Sequence, residues 1–247
     1  MNRKARREAV KQDESARESR PSRRKLLAWA GAAAIGAAGA AAGWKHFSGT
    51  VQVKVESFFA AGDGRKKNIL VLSGSGRKGG NTELLASAFA KGAREAGHDV
   101  HAFNAALDPM RGCMHCGGCW SRNAPCVMDD GFTRLYPLLE QAELLVLCSP
   151  LYWYSLSGHL KCAMDRLYPY FQKDRPRSLK VRETMLLMCG QTRLLRSFAG
   201  AAETYRQGIG FAGWRDRGRL FATGVDGLGA IAGSSALAEA ETMGRGA

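Results

Sequence analysis

The sequence is short of acid. Thirty-six Lys and Arg face 22 Asp and Glu, a formal net charge of +14 at pH 7. Taken alone, such an excess points to nucleic acid or an anionic surface as partner. No nucleic-acid recognition motif accompanies it, which argues against a nucleic-acid binder. Cysteine is also scarce, with seven in 247 residues, an odd number and too few for a disulfide scaffold in a chain of this length. No acid–base pair stands out as catalytic, so no catalytic side chain is assigned. What remains is ordinary globular composition, 45% hydrophobic and 23% charged, which excludes wholesale disorder. The length suits one substantial domain or two small ones.

The charge is unevenly placed. Residues 1–25 carry ten basic and four acidic residues, a net of +6, and the rest of the chain has a net of +8. An uncharged Ala/Gly-rich run from Leu26 to Trp44 follows. A basic stretch before a weakly apolar one is the plan of an export signal. Ser22-Arg23-Arg24-Lys25-Leu26-Leu27 resembles the twin-arginine (Tat) signal. The segment 1–44 is therefore expected to be a Tat-type signal or membrane anchor, with the Tat translocase as a transient partner. The location that follows is periplasmic or extracytoplasmic and membrane-anchored, or cytoplasmic if the signal does not function. A helix over 26–44 would just reach across a bilayer core of about 30 Å. Residues 45–66 read as a connector, with Val51, Val53 and Val55 alternating as in a short strand.

From Lys67 the pattern changes. Asn68 to Leu72 is a continuous apolar run, as in a strand buried on both faces. It runs into Ser73-Gly-Ser-Gly-Arg-Lys-Gly-Gly-Asn-Thr82, and a helical pattern follows to Ala96. Strand, Gly/Ser loop and helix is a geometry that binds phosphate, through backbone N–H groups and the helix dipole. The same pattern also serves as a plain tight turn. Further strands are expected at 98–103, 143–148, 184–189 and 218–223. Helices are expected at 132–141, 156–171, 198–209 and 236–243. Five strands alternating with helices predict an α/β doubly wound parallel sheet with helices on both faces and the ligand beyond the carboxyl ends of the strands.

Two segments fall at that rim. Ser149-Pro-Leu-Tyr-Trp-Tyr154 follows the third strand, and three adjacent aromatics are unlikely to be all core; a hydrophobic lid or an oligomer contact is the other reading. Gly190-Gln191-Thr192 ends the fourth strand, with a Gln able to bond ring heteroatoms. Ser73-Gly-Ser-Gly-Arg77, Gly80-Asn81-Thr82, Asp129-Asp130, Ser149-Pro-Leu-Tyr152-Trp, Leu160-Lys161 and Asp165-Arg166, in that order, resemble the NADPH-dependent FMN reductase family over residues 67 to 226. The resemblance implies a flavodoxin-like fold and FMN as cofactor. It implies that Ser73, Ser75, Arg77, Asn81 and Thr82 hold the FMN phosphate. Pro150, Leu151, Tyr152 and Trp153 would line the isoalloxazine, with Gly190 and Gln191 on its other side. Asp165-Arg166 is read as structural, packing or bonding a loop. The domain would cover 67–228, with a cysteine loop at 111–130 and a helix and tail at 229–247.

The sharpest local signal is Cys113-Met-His-Cys116-Gly-Gly-Cys119, then Cys126 after six residues. Such spacing suits a [4Fe–4S] cluster. Tetrahedral zinc is also served by four thiolates, and disulfides form in exported proteins. His115 lies within the loop, and Cys148, Cys162 and Cys189 read as buried small hydrophobes. The cysteine motif resembles the iron–sulfur flavoprotein branch of the same family. The expected function is an FMN-dependent oxidoreductase passing electrons between FMN and the cluster. The alternatives are an exported electron-transfer module without a small substrate and a flavin reductase without metal. Expected partners are NAD(P)H, a redox protein or a quinone as electron donor, and a second copy of the chain in a homo-oligomer.

Overall fold

The computed structural model describes residues 53–121, 125–171 and 177–247. The signal-like segment 1–44 and Val51 lie outside the described residues. Among the described residues no helix is long and apolar enough to cross a membrane.

Six strands form one sheet: β1 (Lys54–Phe59), β2 (Asn68–Ser73), β3 (Asp99–Asn104), β4 (Leu144–Pro150), β5 (Glu183–Cys189) and β6 (Arg215–Thr223). Their order is β1-β6-β5-β4-β2-β3. β2 to β6 are parallel, in the flavodoxin-like order. The expectation of five strands is corrected by β1, which pairs antiparallel with β6 from Lys54↔Thr223 to Phe59↔Gly218. The stretch read as a connector thus supplies an edge strand. Among the described residues of that stretch, Val53, Val55 and Phe59 pack on the core, so its apolar signal is weak.

Among the described residues the helices are α1 (Asn81–Glu95), α2 (Gly118–Ser121), α3 (Gly131–Gln141), α4 (Gly158–Asp165), α5 (Ala199–Ala212) and α6 (Ser235–Arg245). Alternate strand residues feed opposite cores, because successive side chains leave a strand on opposite faces. Leu70, Leu72, Leu145, Leu147, Leu186 and Met188 pack with Phe132, Leu135, Leu160 and Tyr205 from α3, α4 and α5. Ile69, Val71, Leu144, Val146, Met185 and Leu187 pack with Leu85, Phe89, Ala240 and Met243 from α1 and α6. The helix expected over 156–171 is shorter. α4 ends at Asp165, and Tyr168–Phe171 is a separate 3-10 turn. Pro169 disfavours a helical residue before it and brings no N–H of its own, which separates the two.

On the second face α1 and α6 approach backbone to backbone. A Cβ on Gly92 would lie 2.0 Å from the Glu241 carbonyl oxygen, and one on Gly244 would lie 2.1 Å from that of Phe89. At the amino ends of β5 and β6, Glu183 collects a buried ionic cluster. Lys67 Nζ donates to it at 2.9 Å, Arg217 at 2.8 Å, and Arg215 also pairs with it. Arg217 also donates to the Ala60 and Gly246 carbonyls, tying both termini of the described domain to the sheet. Burial pushes the Glu183 carboxyl upward, but the hydrogen bonds from Lys67, Arg215 and Arg217 outweigh it and hold the group at about 2, below its ordinary 4.5.

Two outcomes follow. Gly92→Ala forces α1 and α6 apart and lowers stability by about 1–3 kcal/mol, measured by urea unfolding. Glu183→Gln leaves the buried Arg217 without its counter-charge and Lys67 with only Asp63, and costs on the order of 3 kcal/mol at pH 7. Because the folded carboxyl titrates lower than the unfolded one, its contribution is full above about pH 4.5 and fades toward pH 2. The gap between wild type and Glu183→Gln therefore narrows over that window; a gap independent of pH would contradict the assignment.

Candidate functional site

β2 is the strand at which the order turns: the chain moves outward to β3, then returns to β4 on the other side. Loops leaving β2 and β4 diverge there, and a crevice opens at their carboxyl ends. Ser75, Arg77, Asn81, Thr82, Pro150, Leu151, Tyr152, Gly190 and Gln191 border one cavity of about 270 Å³ at that point. These residues come from three separate stretches of the sequence, and all but two of the residues expected at the flavin are among them.

The loop 73–80 is built to receive an anion. Gly74 donates to the Cys148 carbonyl at 2.9 Å, holding the loop on β4. A Cβ there would lie 2.2 Å from Ser157 Oγ, so α4 packs directly on the loop. Among the described residues, no protein acceptor takes the backbone N–H of Ser75, Gly76 or Lys78. Gly80 caps α1 without a side-chain bond, leaving the first-turn N–H groups of Asn81, Thr82 and Glu83 open. Ser73 is buried and its hydroxyl has no partner, although it does not border the cavity. Open donors around a helix N-terminus, with Arg77 at the rim, fit a phosphate.

Asn81 is differently engaged. Its amide donates to the Gly227 carbonyl at 2.7 Å and its side-chain oxygen accepts from Ile231 N at 3.1 Å. Its side chain therefore fixes the loop after β6, and its backbone N–H is one of the open first-turn donors. Thr82 is buried, with its hydroxyl 3.4 Å from Cys189 Sγ. Burial pushes the Cys189 thiol up to about 11, so it remains a neutral thiol on the cavity wall.

Trp153 stands outside the cavity and is 96% exposed. Tyr152 and Ser155 exchange two backbone hydrogen bonds, at 3.1 and 2.9 Å, leaving Trp153 and Tyr154 as the tip of a two-residue turn. Both have positive φ, 50° and 62°, as this turn demands. Bulky residues pay roughly 1–2 kcal/mol each for that conformation. Turn geometry, rather than side-chain polarity, sends Trp153 into solvent. Ser149 steadies the segment, accepting from Ser157 N at 2.9 Å and donating to the Pro150 carbonyl at 2.8 Å.

Cys189, Val225, Asp226 and Gly227 border the same cavity and were not expected there. Gln191 donates to the Asp226 carboxylate at 3.0 Å, which joins the two rims. The signal was present in Gly224-Val-Asp-Gly-Leu-Gly229, a second Gly-rich loop directly after a strand.

Cys113, Cys116, Cys119 and Cys126 border a second cavity, of about 180 Å³, together with His115, Met128, Arg166, Tyr168 and Pro169. Its loop is wound tightly: His115 and Gly117 have positive φ, and His115 N donates to Cys113 Sγ at 3.4 Å. Burial raises the Cys119 thiol, and the neighbouring thiols of Cys126, Cys113 and Cys116 add to that effect. Among the described residues no three His, Cys, Asp or Glu converge closely enough for a single ion. Cys148 is fully buried, as expected, and Cys162 packs partly buried against the core.

The loop is held at both ends. Arg166, 2% exposed, places its NH1 group 2.7 Å from both Asp130 oxygens and donates to the Arg111 and Met128 carbonyls at 3.4 and 3.3 Å. Asp130 in turn accepts from Arg111 N and caps α3 through Phe132 N. Burial opposes ionisation of Asp130, but the bonds from Arg166, Phe132 and Arg111 prevail and lower its pKa. Arg166 thus bonds a loop, as its sequence context suggested. Asn104, at the end of β3, donates to the Ser75 carbonyl at 2.9 Å and accepts from Ala106 N at 3.0 Å.

Known proteins are similar to this chain in sequence and in fold. The iron–sulfur flavoprotein of Archaeoglobus fulgidus is 30% identical over 97 residues, 39% of this chain and 44% of that protein. The iron–sulfur flavoprotein of Methanosarcina thermophila is 30% identical over 95 residues, 38% of this chain and 49% of that protein. The chain thus spans just under half the length of these relatives. The solved NAD(P)H:quinone oxidoreductase from Methanothermobacter marburgensis shares the fold, with a TM-score of 0.55 at 18% identity, over 73% of this chain and 96% of that one. Residues 67–196 match the NADPH-dependent FMN reductase family, and with the open anion loop at its switch point this chain belongs to that family.

Proposed function

We propose that this protein is an FMN-dependent oxidoreductase with a second redox centre, a [4Fe–4S] cluster held by Cys113, Cys116, Cys119 and Cys126. The observation that carries the reading is the pair of separate cavities, one bordered by an anion loop and the other by four cysteines. When bound, the flavin accepts a hydride or single electrons, and the cluster exchanges electrons singly. The chain's own residues hold and orient. The N–H groups of Ser75, Gly76 and Lys78, the first turn of α1 and the Arg77 guanidinium receive the phosphate. Pro150, Leu151 and Tyr152 on one rim and Gly190 and Gln191 on the other bound the ring. Ser73 and Thr82 support the loop from beneath, and Trp153 stands at the mouth. The names of the two iron–sulfur flavoproteins support the cluster.

The segment 1–44 supports delivery by the Tat route, which carries proteins already folded around their cofactors. Outside the cytoplasm NAD(P)H is not at hand, and the donor is then a redox protein or a quinol. A homo-oligomer is part of the same proposal.

Two measurements test it. Arg77→Ala removes a charge-assisted bond of about 1.5–3 kcal/mol, which lowers FMN affinity by about tenfold or more in a fluorescence titration of the apoprotein. An unchanged affinity would remove the phosphate from this loop. In anaerobic mixing, the flavin band bleaches slowly with NADPH and NADH and rapidly with a reduced quinol. Rapid bleaching by NADPH would restore nicotinamide as the donor.

A further inference from the structure

Arg166 has a feature that loop closure does not use. Its side chain borders the cysteine cavity, and among the described residues there it is the one Lys or Arg. Its Nε is buried and has no hydrogen-bond partner. The guanidinium stacks 4.4 Å from the centre of the Phe132 ring, an apolar support that fixes its plane. Asp130, its counter-charge, takes both contacts on NH1 and is not among the residues bordering the cavity. The positive partner of the ion pair therefore borders the cavity of the four cysteines, and the negative partner does not. In a buried, low-dielectric setting such an oriented charge acts strongly on whatever negative charge the cavity holds.

We infer that Arg166 is a positioning and charge-compensating residue of the cysteine centre, raising the reduction potential of a cluster bound there. The inference rests on the cluster reading above. A cluster with four thiolates is anionic, and each one-electron reduction adds one further negative charge. A fixed guanidinium favours the more negative state, and Asp130 behind it moderates the effect. By holding the Arg111 and Met128 carbonyls, the same group also sets the distance between the two ends of the cysteine loop.

The test uses the full-length holoprotein, purified anaerobically, with Arg166→Met, Arg166→Lys and Asp130→Asn. Iron and acid-labile sulfide are assayed first. Cluster midpoint potentials are then read from the EPR signal during a dithionite titration, with the FMN potential in the same sample as internal reference. The cluster potential falls in Arg166→Met, stays near wild type in Arg166→Lys and rises in Asp130→Asn, while the FMN potential does not move. A loaded Arg166→Met protein with the wild-type potential overturns the inference. If Arg166→Met fails to retain the cluster, Asp130→Asn decides: a rise supports the inference, and no shift or a fall overturns it. Wild-type protein without iron and sulfide overturns the cluster reading itself, a result distinct from loaded variants with equal potentials.

Discussion

The reversal of strand order at β2 is the constraint on which both candidate sites depend. A parallel strand flanked by neighbours on its two sides sends consecutive connections to opposite faces, and nothing fills the gap where they part. The crevice is therefore a product of topology, not of any one residue. The loop after β2 crosses it at the N-terminus of α1, so the backbone offers open N–H groups before a side chain is considered. The ladder with β4 and the close packing of Gly74 on α4 hold that loop in place.

The second site grows from the same reversal. β3, the strand beyond the turn, releases the chain into the cysteine loop, and Asn104 at its end bonds back to the anion loop. Asp130 and Arg166 close the loop as a clasp between α3 and α4. A buried ion pair contributes little net stability against an apolar alternative, but it fixes geometry. A ligand set that must meet around one centre needs that geometric fixing.

The sequence made the central sheet legible because β2, β4 and β5 are apolar on both faces, a pattern only a covered parallel sheet requires. β1 was harder to see, since an edge strand buries little and Val55 and Phe59 are its main inward residues. The helix expected through 156–171 stopped early at Asp165, where Arg166 and Pro169 impose local demands that periodicity does not carry. At the site, residue type identified the rim but not the direction of each side chain. Asn81 faces a loop 150 residues away in sequence, and Trp153 is turned outward by a two-residue turn. Asp226 borders the cavity from the Gly-rich loop after β6, whose pattern is visible in the sequence but whose place at the rim depends on tertiary contact.

Net charge, the most conspicuous property of the sequence, is partly that of residues 1–25; the remainder carries +8, compatible with an anionic cofactor and an anionic cluster. The central claim is that one chain holds both. It is tested most directly by the absorption spectrum of anaerobically purified protein, with extracted FMN, iron and sulfide quantified on the same sample. The account predicts flavin peaks on a broad underlying absorbance, with iron and sulfide in equal amounts. Flavin peaks alone, without iron, would contradict it.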